Sequence, residues 1–258
     1  MRPVFAESAW PAVRDALRSG NCAVAILPCG ATEAHGPHLP LNTDVIISER
    51  MAAISQSALA QRGYMAAVLP PLAYMPAEYA QSFPGTITVG AAVAKALLLE
   101  IASSLKTQGF ACLALVNSHF DPANVAMLRE AAENIHASGL PVAFADFTRR
   151  KLAQTLTAEF LSGACHAGQY ETSLVMAVRP DLVNDAERLQ LPDNSASLTA
   201  AFGKGARTFE QAGGPDAYFG FPRNASIEEG NESFRIMASA LVDAVEAALP
   251  LSGYPGRT

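Results

Sequence analysis

Three short, almost unbroken apolar runs, residues 22–27, 65–69 and 112–116, constrain most strongly what this chain can fold into. A strand with no polar alternation is covered on both faces, which is the condition of a parallel sheet. Between and after these runs the apolar residues fall at helical spacing. Residues 10–19 form an opening helix closed by Gly20. Residues 44–62 form another, with Val45, Ile46, Met51, Ile54 and Leu59 on one face and Gly63 as its stop, and residues 90–108 a third, ended by Gly109. Residues 122–138 continue the alternation as a helix, 141–146 as a strand, and 148–161 and 174–178 as helices. Residues 179–198 read as loop, and residues 230–249 as a closing amphipathic helix packed on the sheet. The expected class is α/β, a mostly parallel sheet flanked by helices.

A chain of 258 residues with 50% apolar and 16% charged content buries a sizeable core as one domain, and no linker, charge run or repeat divides residues 1–258. The net charge of -6 leaves no basic footprint for nucleic acid. No apolar stretch approaches a membrane span, and the first residues lack the basic-then-apolar order of a secretion signal, so a cytoplasmic location is expected. Cys22, Cys29, Cys112 and Cys165 show no metal or redox spacing and read as free thiols.

Chemistry concentrates where the apolar runs end. Residues 28–44 place Glu33, His35 and Asp44 in a Gly- and Pro-punctuated loop after the first strand, outside the carboxyl end where open α/β sheets hold ligands. Glu33 and His35 point the same way in extended backbone, and Asp44 stands at a helix start. A plain loop pair and an N-cap are the bland alternative. The third run ends in Asn117-Ser118-His119-Phe120-Asp121-Pro122, which adds His119 and Asp121; a structural histidine and a helix cap are their alternatives. His166 and Glu171 flank Gly168 at a third helix start, where a turn histidine and a first-turn acid are the ordinary readings. The long segment 72–88, with its turn Phe83-Pro84-Gly85-Thr86, has the look of a cleft wall or of a surface loop, and the Gly-rich stretch 213–221 covers part of the site.

Glu33, His35, Asp44, His119 and Glu171, with Asp121 as a sixth, are oxygen and nitrogen donors of the kind that zinc, manganese or iron accept. That count exceeds one open catalytic metal and suits two divalent ions sharing a carboxylate, with Asp44 as candidate bridge. Such a centre hydrolyses an amide, cyclic amide or lactone, and His166 is free to shuttle a proton. The rival is a Cys165 nucleophile, but Cys165 and His166 are adjacent and point apart. Neither a Gly-x-Ser-x-Gly elbow nor a phosphate-binding glycine loop is present.

Three motifs carry a family resemblance: Pro28-x-Gly30-x-x-Glu33-x-His35-Gly36-Pro37-His38-Leu39-Pro40 with Thr43-Asp44; Asn117-x-His119 with Asn124; and His166-Ala167-Gly168-x-x-Glu171-Thr172-Ser173. In that order they resemble the creatininase (creatinine amidohydrolase) family, and Phe83-Pro84-Gly85-Thr86-Ile87 and Ala225-Ser226-x-x-Glu229-Gly230 look like further family segments. The resemblance implies a compact α/β fold with a binuclear zinc, manganese or iron centre, often in a homohexamer. It implies action on a small-molecule amide, cyclic amide or formamide, and the family also includes a peptidase. By resemblance Glu33, His35, Asp44 and His119 are metal ligands, Glu171 or Asp121 or both complete the second metal, and His166 is the proton shuttle.

The departures bear on substrate. Many members read Asn-Gly-His-Gly-Gly-Asn at the second cluster, where this chain has Ser118, Phe120, Asp121, Pro122 and Ala123, so Phe120 and Pro122 reshape the pocket wall. The one tryptophan, Trp10, lies far from the motifs, whereas creatininase shapes its pocket with tryptophans, so creatinine is not the favoured substrate. Family members often carry a His before the Phe-Pro-Gly-Thr turn; here that region has Glu78, Tyr79 and Gln81, and Glu78, Gln81, Tyr170 and Tyr218 are candidates for pocket polarity. Three functions remain: a metal-dependent amidohydrolase, a lactonase or peptidase using the same centre, and an inactive metal-binding subunit.

Overall fold

A computed structural model describes residues 5–19 and 22–250. Four strands, β1 (Ala23–Cys29), β2 (Met65–Val68), β3 (Cys112–Asn117) and β4 (Val142–Phe144), form one parallel sheet in the order β2-β1-β3-β4. Both central strands are buried along their whole length, as their unbroken apolar runs require. The helix α1 (Trp10–Arg18) matches the opening helix; its expected stop, Gly20, lies outside the described residues.

The pleat of β1 divides the core. Val24 and Ile26 face a cluster closed by α2 (Thr43–Gln61), α7 (Gln169–Val178) and α10 (Ile227–Ala248), with Met51, Leu174 and Leu241 inside it. Ala25 and Leu27 face the opposite cluster, where α3 (Ala91–Gln108) and α4 (Pro122–Ala137) supply Leu98, Leu105 and Leu128. The strand order reverses between β1 and β3, whose ends pair Cys29 with Asn117. An open parallel sheet leaves a crevice at that reversal, so the loops leaving β1 and β3 are brought together there.

The expected helix over residues 148–161 is two helices, α5 (Arg150–Ala153) and α6 (Ala158–Ser162). The Thr155 hydroxyl donates back to the Leu152 carbonyl at 2.7 Å, and Thr157 caps the second helix by accepting from Phe160 N–H at 3.2 Å. Such hydroxyl bonds compete with continued helix. Residues 179–198 are not wholly loop: they include α8 (Asp185–Arg188), and α9 (Leu198–Gly203) follows directly. The helices expected from 174 and 230 begin earlier. Ser226 caps α10 by accepting from Glu229 N–H at 3.1 Å, and α7 receives a cap from a distant residue.

Candidate metal centre

Gly30 follows β1 without a side chain because α2 crosses above it; a Cβ there would lie 2.8 Å from the backbone carbon of Asp44. The close approach puts Asp44, in the first turn of α2, over the strand end. The second cluster is braced by amides: Asn124 donates to the His119 carbonyl at 2.8 Å and to Asn117 Oδ1 at 3.0 Å, and Asn117 donates to the same carbonyl at 2.8 Å. Ser118 donates to the Asp44 carbonyl at 2.6 Å and ties the two strand ends together. At α7, Ala167 adopts φ 50°, an uncommon turn for a residue with a Cβ, and its N–H donates to Glu171 Oε2 at 2.7 Å.

These turns converge Glu33, His35, Asp44, His119, His166 and Glu171, all buried. Ring nitrogens of all three histidines face main-chain carbonyls: His35 Nδ1 to Glu33 at 3.0 Å, His119 Nε2 to Pro76 at 2.6 Å, and His166 Nε2 to Ala34 at 2.9 Å. A carbonyl only accepts, so those nitrogens carry a proton, and the opposite nitrogens point inward, offering a lone pair wherever the ring is neutral. The inward atoms face carboxylates. His119 Nδ1 lies 3.0 Å from both Glu33 Oε1 and Asp44 Oδ2; His35 Nε2 lies 3.3 Å from Asp44 Oδ1 and 3.6 Å from Glu171 Oε2. His166 Nδ1 lies 4.0 Å from both Glu33 and Glu171, and among the described residues His35 Nε2 has no hydrogen-bond partner.

Acceptors facing acceptors in a buried space require positive charge among them. The electrostatics agree. Burial alone would lower His35, but Asp44, Glu171 and Glu33 outweigh it and raise it to about 10. Burial likewise opposes, and Glu33 and Asp44 override, in raising His119 well above its ordinary value. Burial, opposed by His35, lifts Glu171 to about 8, while His35 and His119 overcome burial to hold Asp44 far below the carboxylate range. His166 is driven well below its ordinary value, first by burial and then by His35, and so is neutral. Its ring stacks between His35 at 4.4 Å and Phe209 at 4.3 Å.

The donor atoms fall into three groups, each within 4.8 Å: Glu33, Asp44 and His119; His35, Asp44 and Glu171; and Glu33, His35 and His166. Asp44 turns one oxygen toward each of two histidines, the disposition of a bridging carboxylate. The donors fit divalent ions, and the outward N–H bonds to backbone carbonyls are the usual support of ligating imidazoles.

Asp121 stands apart from these groups. Its Oδ1 accepts from Ala123 N–H at 2.8 Å as the cap of α4, and its Oδ2 accepts from Glu78 N–H at 2.9 Å and Tyr79 N–H at 3.3 Å. That carboxylate anchors the loop that carries Tyr79. Cys165 borders the site, but burial, then Glu171 and Glu159, push its thiol well up, so it is no ready nucleophile.

The chain matches the family profile described as creatinine amidohydrolase over residues 6–245. It belongs to the creatininase family. It is 30% identical over 253 residues to a mycofactocin precursor peptide peptidase of Mycobacterium ulcerans, covering 94% of this chain and 88% of the relative. It is 29% identical over 194 residues to the creatinine amidohydrolase of Pseudomonas putida, covering 69% and 72%. A solved structure named "Creatininase Mn" superposes with TM-score 0.72 at 24% identity over 97% of this chain and all of that one, which shows a shared fold.

Within this creatininase-family chain the cavity over the donor atoms measures about 50 Å³. Phe120 forms part of its wall, but Glu78, Gln81, Tyr170 and Tyr218 do not. The Tyr170 hydroxyl donates to Met237 Sδ in the core and that of Tyr218 to the Pro192 carbonyl, while Phe219 of the Gly-rich stretch packs in a small core cluster. The cover is instead Tyr79, Leu198, Phe202 and Phe209. Leu198 and Phe202 lie one turn apart on α9, a four-residue spacing visible in the sequence but too short to mark a helix.

Proposed function

We propose that this chain is a metal-dependent amidohydrolase that cleaves a C–N bond in a peptide-like substrate, with two divalent ions, manganese or zinc, per chain. The observation that carries this reading is the set of three inward imidazole nitrogens converging with three buried carboxylates. Glu33, Asp44 and His119 would hold one ion, and His35, Asp44 and Glu171 the other, with Asp44 between them. Bound divalent ions supply Lewis acidity toward a carbonyl oxygen and lower the pKa of water.

The remaining work falls to the chain. Neutral His166 presents Nδ1 toward Glu33 and Glu171, so it takes a proton in the attack and returns it to the departing nitrogen. Phe202, Phe209 and Tyr79 shield the site from bulk water, and the short stack of Phe209 on His166 fixes the plane of that ring. The peptidase name of the Mycobacterium ulcerans relative favours a peptide-like substrate. The 50 Å³ cavity supports a second reading, a small cyclic amide or formamide, because it admits little beyond the scissile group. Creatinine is disfavoured: the wall is built of Phe120, Phe202 and Phe209, and Trp10 is 72% exposed on α1. A cytoplasmic homohexamer is the assembly we infer from the family.

Elemental analysis of wild type and Asp44→Ala, with mass spectrometry of a peptide and small-amide panel, tests the reading. Near two metals per chain, lost together in the variant, and cleavage of at least one amide are expected. A wild type with one metal or none, or with no amide cleavage in the metal-replete state, would overturn it.

A further inference from the structure

A larger groove of about 600 Å³ adjoins the metal cavity, and Phe120, Cys165, Leu198 and Phe202 line both. Beyond them the groove is apolar, lined by Val125, Phe147, Phe160 and Leu161; Leu161 is 55% exposed. Its size suits a ligand of dipeptide dimensions. Its charge is opposite to that of the whole chain: no Asp or Glu lines it, although the net charge is -6, and Arg129 and Arg150 do.

The two arginines are not equivalent. Arg129 is committed, with Nε donating to Asp146 at 2.8 Å and a terminal nitrogen to Thr148 at 2.7 Å, and neighbouring Arg149 also donates to Asp146, at 3.1 Å. Arg150, at the start of α5, forms no side-chain hydrogen bond or ion pair among the described residues. Asp146 thus ties down Arg129 and Arg149, one negative charge against two positive, and leaves the Arg150 guanidinium unpaired beside an apolar groove that adjoins the reacting site.

We propose that this groove binds the part of the substrate beyond the scissile amide, and that this part is bulky, apolar and ends in a carboxylate held by Arg150. The inference rests on the amidohydrolase reading for the site next door. Guanidinium pairs with carboxylate through parallel N–H donors, while the aromatic walls take the side chains. A pair formed at an exposed rim is screened, so the free carboxylate adds up to about a factor of five in affinity.

The probe is N-acetyl-Leu-Phe, as free acid and as C-terminal amide, titrated by calorimetry into the manganese-loaded protein and into Arg150→Ala. Lys151→Ala, an exposed neighbour that does not line the groove, is the control. Binding of the free acid at least about threefold tighter than the amide, abolished in Arg150→Ala and retained in Lys151→Ala, supports the proposal. Equal affinities in wild type, no binding of either probe, or a preference that survives Arg150→Ala overturns it. Affinity that falls as protein concentration rises would show a second copy of the chain in the groove and overturn it too. Cleavage of the panel is scored separately: binding without any cleavage strikes the amidohydrolase reading, and cleavage without carboxylate preference strikes this one.

Discussion

His166 and Asp121 show how two polar residues at one site take different work from their partners. His166 gives its Nε2 proton to the Ala34 carbonyl and keeps Nδ1 free at 4.0 Å from two carboxylates, farther than His35 and His119 approach theirs. We expect His166→Ala to retain its metals while the rate falls by about a hundredfold to ten-thousandfold, the usual worth of a positioned acid-base group. Metal loss in that variant would make His166 a ligand instead. Asp121 spends both oxygens on three backbone N–H groups. Asp121→Ala should therefore keep full metal content but lose roughly 1–3 kcal/mol of stability, because three part-buried N–H groups lose their acceptor. Elemental analysis beside urea unfolding checks this, and loss of one metal would return Asp121 to the coordination sphere.

At the scale of elements, the start of α7 decides whether the site exists. Its first N–H groups, from Gln169 and Tyr170, donate to Glu159 at 2.8 and 2.7 Å, and Phe221 N–H donates to the same carboxylate at 2.7 Å. Gly220, at φ 84°, has no room for a Cβ, which would meet Glu159 Oε1 at 2.1 Å. One buried acid from α6 thus sets the turn that presents His166 and Glu171. Glu159→Ala should lower unfolding stability by roughly 3 kcal/mol. A change below about 1 kcal/mol in urea unfolding would show that water replaces the cap without loss. The same contact explains why residues 174–178 were legible as helix while the first turn was not: the cap lies ten positions upstream, beyond any local spacing rule. The unbroken runs of β1 and β3, by contrast, announced burial on both faces, and with it the sheet and the place of the first two polar clusters. Glu33, His35 and Asp44 could be read because they follow a strand directly. Leu198, Phe202 and Phe209 could not, because a cover made of apolar residues looks like any other core.

For the whole molecule, the sheet crevice holds a concentration of carboxylates and inward imidazole nitrogens that only cations or protons can satisfy, so metal bound there as proposed would be coupled to folding. The pH dependence follows from the direction of each shift. His35 is raised from 6.5 to about 10 and Glu171 from 4.5 to about 8. A raised group stabilises the fold below its ordinary value and loses that contribution as pH climbs through the folded one. The metal-free protein therefore loses stability from these groups between about pH 4.5 and 10. Asp44, shifted downward, contributes constantly above the carboxylate range and does not offset the loss. Divalent ions bound at the proposed ligands would displace the same protons, so their apparent affinity should rise across that window. At a free concentration of about a hundred times Kd, metal adds about 2.7 kcal/mol. That is roughly 5–10 °C in Tm for a chain of this size. Thermal melts with and without manganese or zinc should show a metal-induced shift that widens from about pH 6 to about pH 8.5. A shift that is flat or shrinks over that range would mean that the imidazoles and Glu171 release no protons to bound metal, and the ligand set would have to be redrawn.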